Sequence, residues 1–162
     1  MTLVDNLKKL GACSEAVEWA ATQKSMKDAW ANCERGDWML WLLARTKCRK
    51  PGVKSRGPLI RAACACVRLS LKYVPKGEKR PLAAIRAAEK WADGGLAIEV
   101  VNDAAYAADA AAYAAYAAAD AAYAAAYAAA NAANAAELKV LKMCANIVRK
   151  HFPKPPLVRT GP

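Results

Sequence analysis

Between residues 104 and 136, 24 of 33 positions are Ala, and the other nine carry whatever chemistry the run has. They are Tyr106, Asp109, Tyr113, Tyr116, Asp120, Tyr123, Tyr127, Asn131 and Asn134, at spacings of 3, 4, 3, 4, 3, 4, 4 and 3 residues. On a helix such heptad-like spacing gathers them on one face, drifting about 20° per heptad. Tyr offers a rigid ring and a hydroxyl at low entropy cost. Such rings stack on nucleotide bases, and Lys or Arg beside them holds phosphate. Suitable cations are Arg61, Arg68 and Lys72, spaced 7 and 4 residues apart, and Arg86. These four and the stripe from Tyr106 to Asn131 are the candidate ligand-binding residues.

Catalytic chemistry finds less support. Asp109 and Asp120 stand about three helical turns apart, roughly 16 Å. A two-carboxylate hydrolase needs at most about 9.5 Å. There is no GxSxG and no GxxxxGK[ST]. His151 is the only histidine, and it sits beside a Pro-rich tail. The six cysteines, Cys13, Cys33, Cys48, Cys64, Cys66 and Cys144, form no CxxC pair. The segment MTLVDNLKKLG is too polar for an export signal, so reduced, buried thiols are expected. These absences predict a non-enzymatic protein with no catalytic residues, no metal and no cofactor. An ice-binding helix is also disfavoured, because no Thr lies between Thr46 and Thr160.

The elements that must carry these residues are helical. Ala makes up 41 of the 162 residues, and Ala favours helix and is depleted in strands. The expectation is an all-α single-domain bundle over 1–150, followed by a Pro-rich tail over 151–162. Ser14 caps a helix to about Thr22. Ser25 with Asp28 resembles a capping box for 26–34, which Gly36 ends. Asp37 caps 38–45, whose Trp38, Trp41 and Leu42 join Trp19 and Trp30 in the core. Residues 45–57 hold six Lys/Arg and read as a basic loop. Pro58 opens a helix over 58–73, and Pro81 opens another that Gly94–Gly95 closes. Cys64 and Cys66, two residues apart on the first of these, point to different sides.

From Leu96 to Phe152 there is neither Gly nor Pro. One helix of that length would run about 80 Å, against about 40 Å for a domain of this size. The spacing therefore predicts a break at Asn131–Asn134, between an Ala-rich helix near 97–130 and a last helix near 135–150. If the Ala faces are buried, the helix is a central rod and the Tyr stripe lines a groove. If the stripe is buried instead, Asp109 and Asp120 need partners such as Arg61, Arg68 or Lys72. The first arrangement is preferred, since exposed methyl faces bury little. The decorated face can also pair two copies of the chain. The longest stretches without a polar residue are ten residues, too short for a membrane span.

Charge is concentrated. Residues 45–90 hold fourteen Lys/Arg and only Glu78 and Glu89, while the flanking blocks are near neutral. A block of this kind faces phosphate, an acidic protein surface or anionic lipid, or is simply a solvated basic loop, and nucleic acid is a further partner it can serve.

Five segments together carry a resemblance. They are GDWMLWLLAR at 36–45, RAACACVRLSLKYVP at 61–75, RPLAAIRAAEKWADG at 80–94, the AAYAA run, and CANIVRKHFP at 144–153. In order and over nearly the whole chain, they resemble the fifth class of immunity proteins of bacterial polymorphic toxin systems, an all-α family with Ala-rich members in phage genomes. The resemblance implies a cytoplasmic protein, in a bacterium or a phage-infected host, that binds and neutralises a toxin or a host defence effector. It supplies no catalytic motif. An alternative is a sponge that holds an anionic nucleotide immune signal between the Tyr stripe and the basic residues. Non-specific nucleic-acid binding is a second alternative.

Overall fold

Capping chemistry sets the first helices of the computed structural model, which describes residues 2–48, 53–74, 76–97, 99–100, 103 and 130–157. Helix α1, Leu3–Leu10, opens on a reciprocal capping box. The Asp5 N–H donates to Thr2 Oγ1 at 3.1 Å, and the Thr2 N–H donates to Asp5 Oδ2 at 2.9 Å. Thr2, Asp5 and Gly11 are its start and stop signals, in a segment whose polarity alone does not mark a helix. Helix α2 is Ser14–Ala21. Its N-cap is Cys13 and makes no side-chain cap bond, so Ser14 is the first helical residue and not the cap. Helix α3, Met26–Asn32, does begin on Ser25, whose Oγ accepts from the Asp28 N–H at 3.1 Å.

Gly36 does not end α3. It is the first residue of α4, Gly36–Arg45. The reason lies in the last described helix, α7, Ala130–His151. A Cβ on Gly36 would sit 2.4 Å from Cys144 Cβ and 2.6 Å from the Ala145 nitrogen. Only a residue without a side chain lets α4 start against α7. Asp37 is therefore in the first turn rather than at the cap, and its carboxylate accepts from Arg35 at 3.0 and 2.8 Å.

Helix α5 covers Val53–Val67 and ends sooner than expected, because Arg68–Tyr73 form a 3-10 helix. Its start is also earlier, so part of the expected loop over 45–57 is helical and Pro58 lies inside α5. Pro58 there forfeits one backbone hydrogen bond near the helix start. Gly57 lets α5 pass close to the end of α6, Arg80–Ala92, since a Cβ on it would lie 2.8 Å from the Ala92 carbonyl oxygen. Pro81 and Gly94 bound α6 as anticipated. The expected break at Asn131–Asn134 is absent, and the backbone of α7 runs through both. Asn is only a modest helix penalty, and the Ala neighbours supply the best propensity there is. Of the expected helix near 97–130, Glu99, Val100 and Asp103 are helical, Ala97 is not and Ala130 is the first residue of α7; the rest lies outside the described residues.

Among the described residues the fold is all-helical, with no strand. Helix α5 packs against α6 on one side and α7 on the other, and α4 packs on α7. Leu43, Ala62, Ala145 and Val148 are fully buried at this junction. Cys64 and Cys66 mark the two sides of α5. The Cys64 Sγ faces the Ile85 carbonyl oxygen of α6 at 3.9 Å, and the Cys66 Sγ faces that of Cys144 in α7 at 3.8 Å. Trp30 is buried, while Trp19, Trp38 and Trp41 are half-buried against the same core.

A second fastening closes the bundle. Arg149 Nη1 donates to the carbonyls of Trp30 and Cys33 at 3.1 and 2.7 Å, satisfying the end of α3. In return, Trp30 Nε1 donates to the Phe152 carbonyl at 3.0 Å. Phe152 is itself buried, so the core extends past the last helix.

The Gly36 crossing makes a stability prediction. Gly36→Ala forces α4 off α7 and costs about 2 kcal/mol or more, a fall in Tm of roughly 4–8 °C. Gly95→Ala, whose added Cβ meets only the Lys90 carbonyl oxygen at 3.4 Å, serves as the control. Thermal unfolding followed by circular dichroism compares them, and equal Tm values would contradict the close-approach argument.

Candidate anion-binding cleft on helix α6

The cations of the middle block are sorted by which helix carries them. Arg61 and Arg68 lie seven residues apart on nearly the same side, about 20° apart at 100° per residue. Both reach across to α6. Arg61 Nη1 donates to Asp93 Oδ1 and to the Ala92 carbonyl, each at 2.9 Å. Arg68 donates to both Glu89 oxygens, from Nε at 2.9 Å and from Nη2 at 2.6 Å. Two of the candidate phosphate ligands are thus engaged by carboxylates of α6. Lys72 is exposed on the 3-10 helix. There each residue turns about 120° instead of 100°, which swings Lys72 out of the stripe that an α-helix would have given it.

Arg86, the fourth candidate cation, lies elsewhere. It lines a cleft of about 560 Å³ along α6, together with Lys79 and Lys90. These three cations are spaced 7 and 4 residues apart, the same interval as Arg61, Arg68 and Lys72. On α6 the interval does its work, because the helix is regular from Arg80 onward. The three fall within about 40° of one another around the axis. All three are exposed, and among the described residues none makes an ion pair. Glu89 and Asp93 also line the cleft, on the flank turned toward α5, where Arg68 and Arg61 hold them. Leu82, Ala83, Ala87 and Leu96 supply an aliphatic wall.

Lys79 and Lys90 are not among the cations the sequence selects as candidates. Their shared signal was the repeat of the 7-and-4 spacing. Of the remaining candidates, Tyr106, Asp109, Tyr113, Tyr116, Asp120, Tyr123 and Tyr127 lie outside the described residues. Asn131 has helical backbone at the start of α7, and its side chain lies outside them too.

A different cavity, of about 60 Å³, lies among α1 to α4 and is bordered by Trp19, Trp38 and Trp41. Its lining is apolar and presents no convergent polar groups to orient a ligand. It is an apolar recess, partly open, among these helices. Arg35, which stacks on Trp38 at 4.4 Å, also bonds Glu15 at 3.0 Å.

The thiols are equally quiet. Cys33, Cys48, Cys64, Cys66 and Cys144 are buried and unpaired in disulfides, and Cys13 is exposed. Burial raises the thiols of Cys33, Cys48 and Cys64. Burial, with the adjacent Cys144, pushes Cys66 up to about 12. Raised thiols carry little thiolate and make poor nucleophiles. Among the described residues no group of His, Cys, Asp and Glu is placed to hold a metal, and no helix is long and apolar enough to cross a membrane. The chain matches no family model, no curated protein and no solved structure.

Two measurements check this geometry. Arg68 holds the Glu89 carboxyl below its ordinary value of 4.5. The stability this pair contributes is present above that value and is lost as pH falls through the lowered one. The pair is largely exposed, so it is worth less than about 1 kcal/mol. In a carboxyl carbon NMR titration, Arg68→Met should move the Glu89 midpoint upward; an unmoved midpoint would rule out Arg68 as its cause. For the thiols, a colorimetric disulfide reagent should find one fast-reacting group in the native protein, Cys13, and all six after denaturation. Several fast thiols would mean that the packing around α5 is looser than described.

Proposed function

We propose that the chain is a non-enzymatic binding and neutralising protein of the immunity or phage counter-defence type. It blocks a toxin or host defence effector in the cytoplasm of a bacterium or infected host. The observation that carries this reading is the stripe of Lys79, Arg86 and Lys90, three cations without an ion pair among the described residues on one wall of an open cleft. Such a stripe suits an acidic surface of the partner, which it would steer and hold in register. The family resemblance supports the biological setting.

A second reading, sequestration of an anionic nucleotide immune signal, is favoured by the shape of the same feature. A concave site of about 560 Å³ has the size of a small-ligand pocket.

The first reading is tested by co-expression with a panel of polymorphic toxin domains in a growth assay. The unaltered chain should restore growth against at least one toxin. Lys79→Glu, Arg86→Glu and Lys90→Glu combined should abolish that rescue, since each like-charge contact costs several kcal/mol. Rescue by the triple variant equal to that of the unaltered chain would sink the α6 surface. Rescue against no toxin would sink the protein-neutralising role.

A further inference from the structure

We infer that the α6 cleft is built for a nucleotide carrying a terminal polyphosphate, and not for a continuous phosphate chain or a simple inorganic anion. This rests on the second reading above, and its basis is the order of charges along the helix. Toward the start of α6 the cleft presents Lys79 and, about 10 Å further along the axis, Arg86, with no carboxylate between them among the described residues of the lining. Toward the end it becomes mixed, where Glu89 and Asp93 flank Lys90 and Glu89 also feels the charge of Arg86. The cleft therefore has a phosphate end and an acceptor end.

The acceptor end is preorganised. Glu89 is fixed through both oxygens by Arg68, and Asp93 through Oδ1 by Arg61. A carboxylate bound this way keeps further lone pairs for donors on a ligand. Ribose hydroxyls and the exocyclic amine of a base are such donors, and carboxylates are used on ribose hydroxyls in nucleotide sites generally. A phosphodiester has no donor to offer and meets repulsion there. A nucleic-acid strand laid along α6 would bring a phosphate to Glu89 and Asp93, which counts against it. Between the two ends, Leu82, Ala83, Ala87 and Leu96 give an aliphatic surface for a sugar or the flat face of a base. Arg and Lys at the other end suit terminal phosphoryl oxygens.

The test is titration calorimetry of the full chain with three probes: ATP, inorganic tripolyphosphate and a thymidylate hexamer. ATP should bind at least about tenfold more tightly than tripolyphosphate, because a site built to receive ligand donors rejects an analogue that lacks them. Combining Glu89→Gln with Asp93→Asn, which leaves one acceptor oxygen each for Arg68 and Arg61 and turns the other position into a donor, should collapse that ratio to about one, while Glu137→Gln, exposed on α7, should leave it as it was. Replacing Lys79, Arg86 and Lys90 by Gln should remove ATP and tripolyphosphate binding together. Equal affinity for ATP and tripolyphosphate in the unaltered chain would overturn the nucleotide inference while leaving anion capture at α6 standing. Tightest binding of the hexamer would overturn it in favour of a strand. Binding of neither ATP nor tripolyphosphate would overturn both the inference and the reading beneath it.

Discussion

Helix α4 begins where its backbone touches α7, and the rest of the bundle is arranged around that contact. At Gly36 there is room for a hydrogen and for nothing larger, with Cys144 Cβ 2.4 Å from where a Cβ would stand. The approach fixes α7, and α7 presents the Cys144 carbonyl to Cys66 on α5. Two residues earlier on α5, Cys64 faces the Ile85 carbonyl on α6. A chain of small side chains thus runs from α4 through α7 and α5 to α6. Small residues at Gly36, Cys144, Cys66 and Cys64 leave room for close helix approach.

Electrostatics divides the same helix into two sides. The acids Glu89 and Asp93 turn toward α5 and are held by Arg68 and Arg61. Lys79, Arg86 and Lys90 point into the cleft. The surplus of positive charge between residues 45 and 90 is therefore not a uniformly solvated patch. Part of it fastens α5 to α6, and part of it is presented outward in a row. Fastening by exposed ion pairs adds little stability, so apolar packing around Leu43, Ala62 and Val148 supports the bundle, while the pairs set the orientation of the carboxylates.

What could be read from the residues depended on how local the signal was. The cap at Ser25, the bounds of α6 at Pro81 and Gly94, and the opposite sides taken by Cys64 and Cys66 follow from short-range rules, and the structure agrees. Gly36 misled, because a glycine after a helix ordinarily marks its end, and the reason for this one is a contact 108 residues away in sequence. Arg149 gave no signal for the same reason, since its partners are the carbonyls of Trp30 and Cys33. Lys72 looked like a member of the Arg61–Arg68 stripe until the 3-10 helix changed the angle per residue. The repeat of that spacing at Lys79, Arg86 and Lys90 was equally visible, and it is the one that faces a cleft. Periodicity finds stripes; packing decides which of them meets solvent.

The most direct test of α6 as the binding face is NMR mapping of backbone amides while tripolyphosphate is titrated into the isotope-labelled chain. The account predicts that the largest shifts cluster at Lys79, Arg86, Lys90 and their helical neighbours, and that they saturate together. Shifts centred on the Trp19–Trp38–Trp41 side of the bundle, or on Tyr106 to Tyr127, would contradict it and move the site to another face of the molecule.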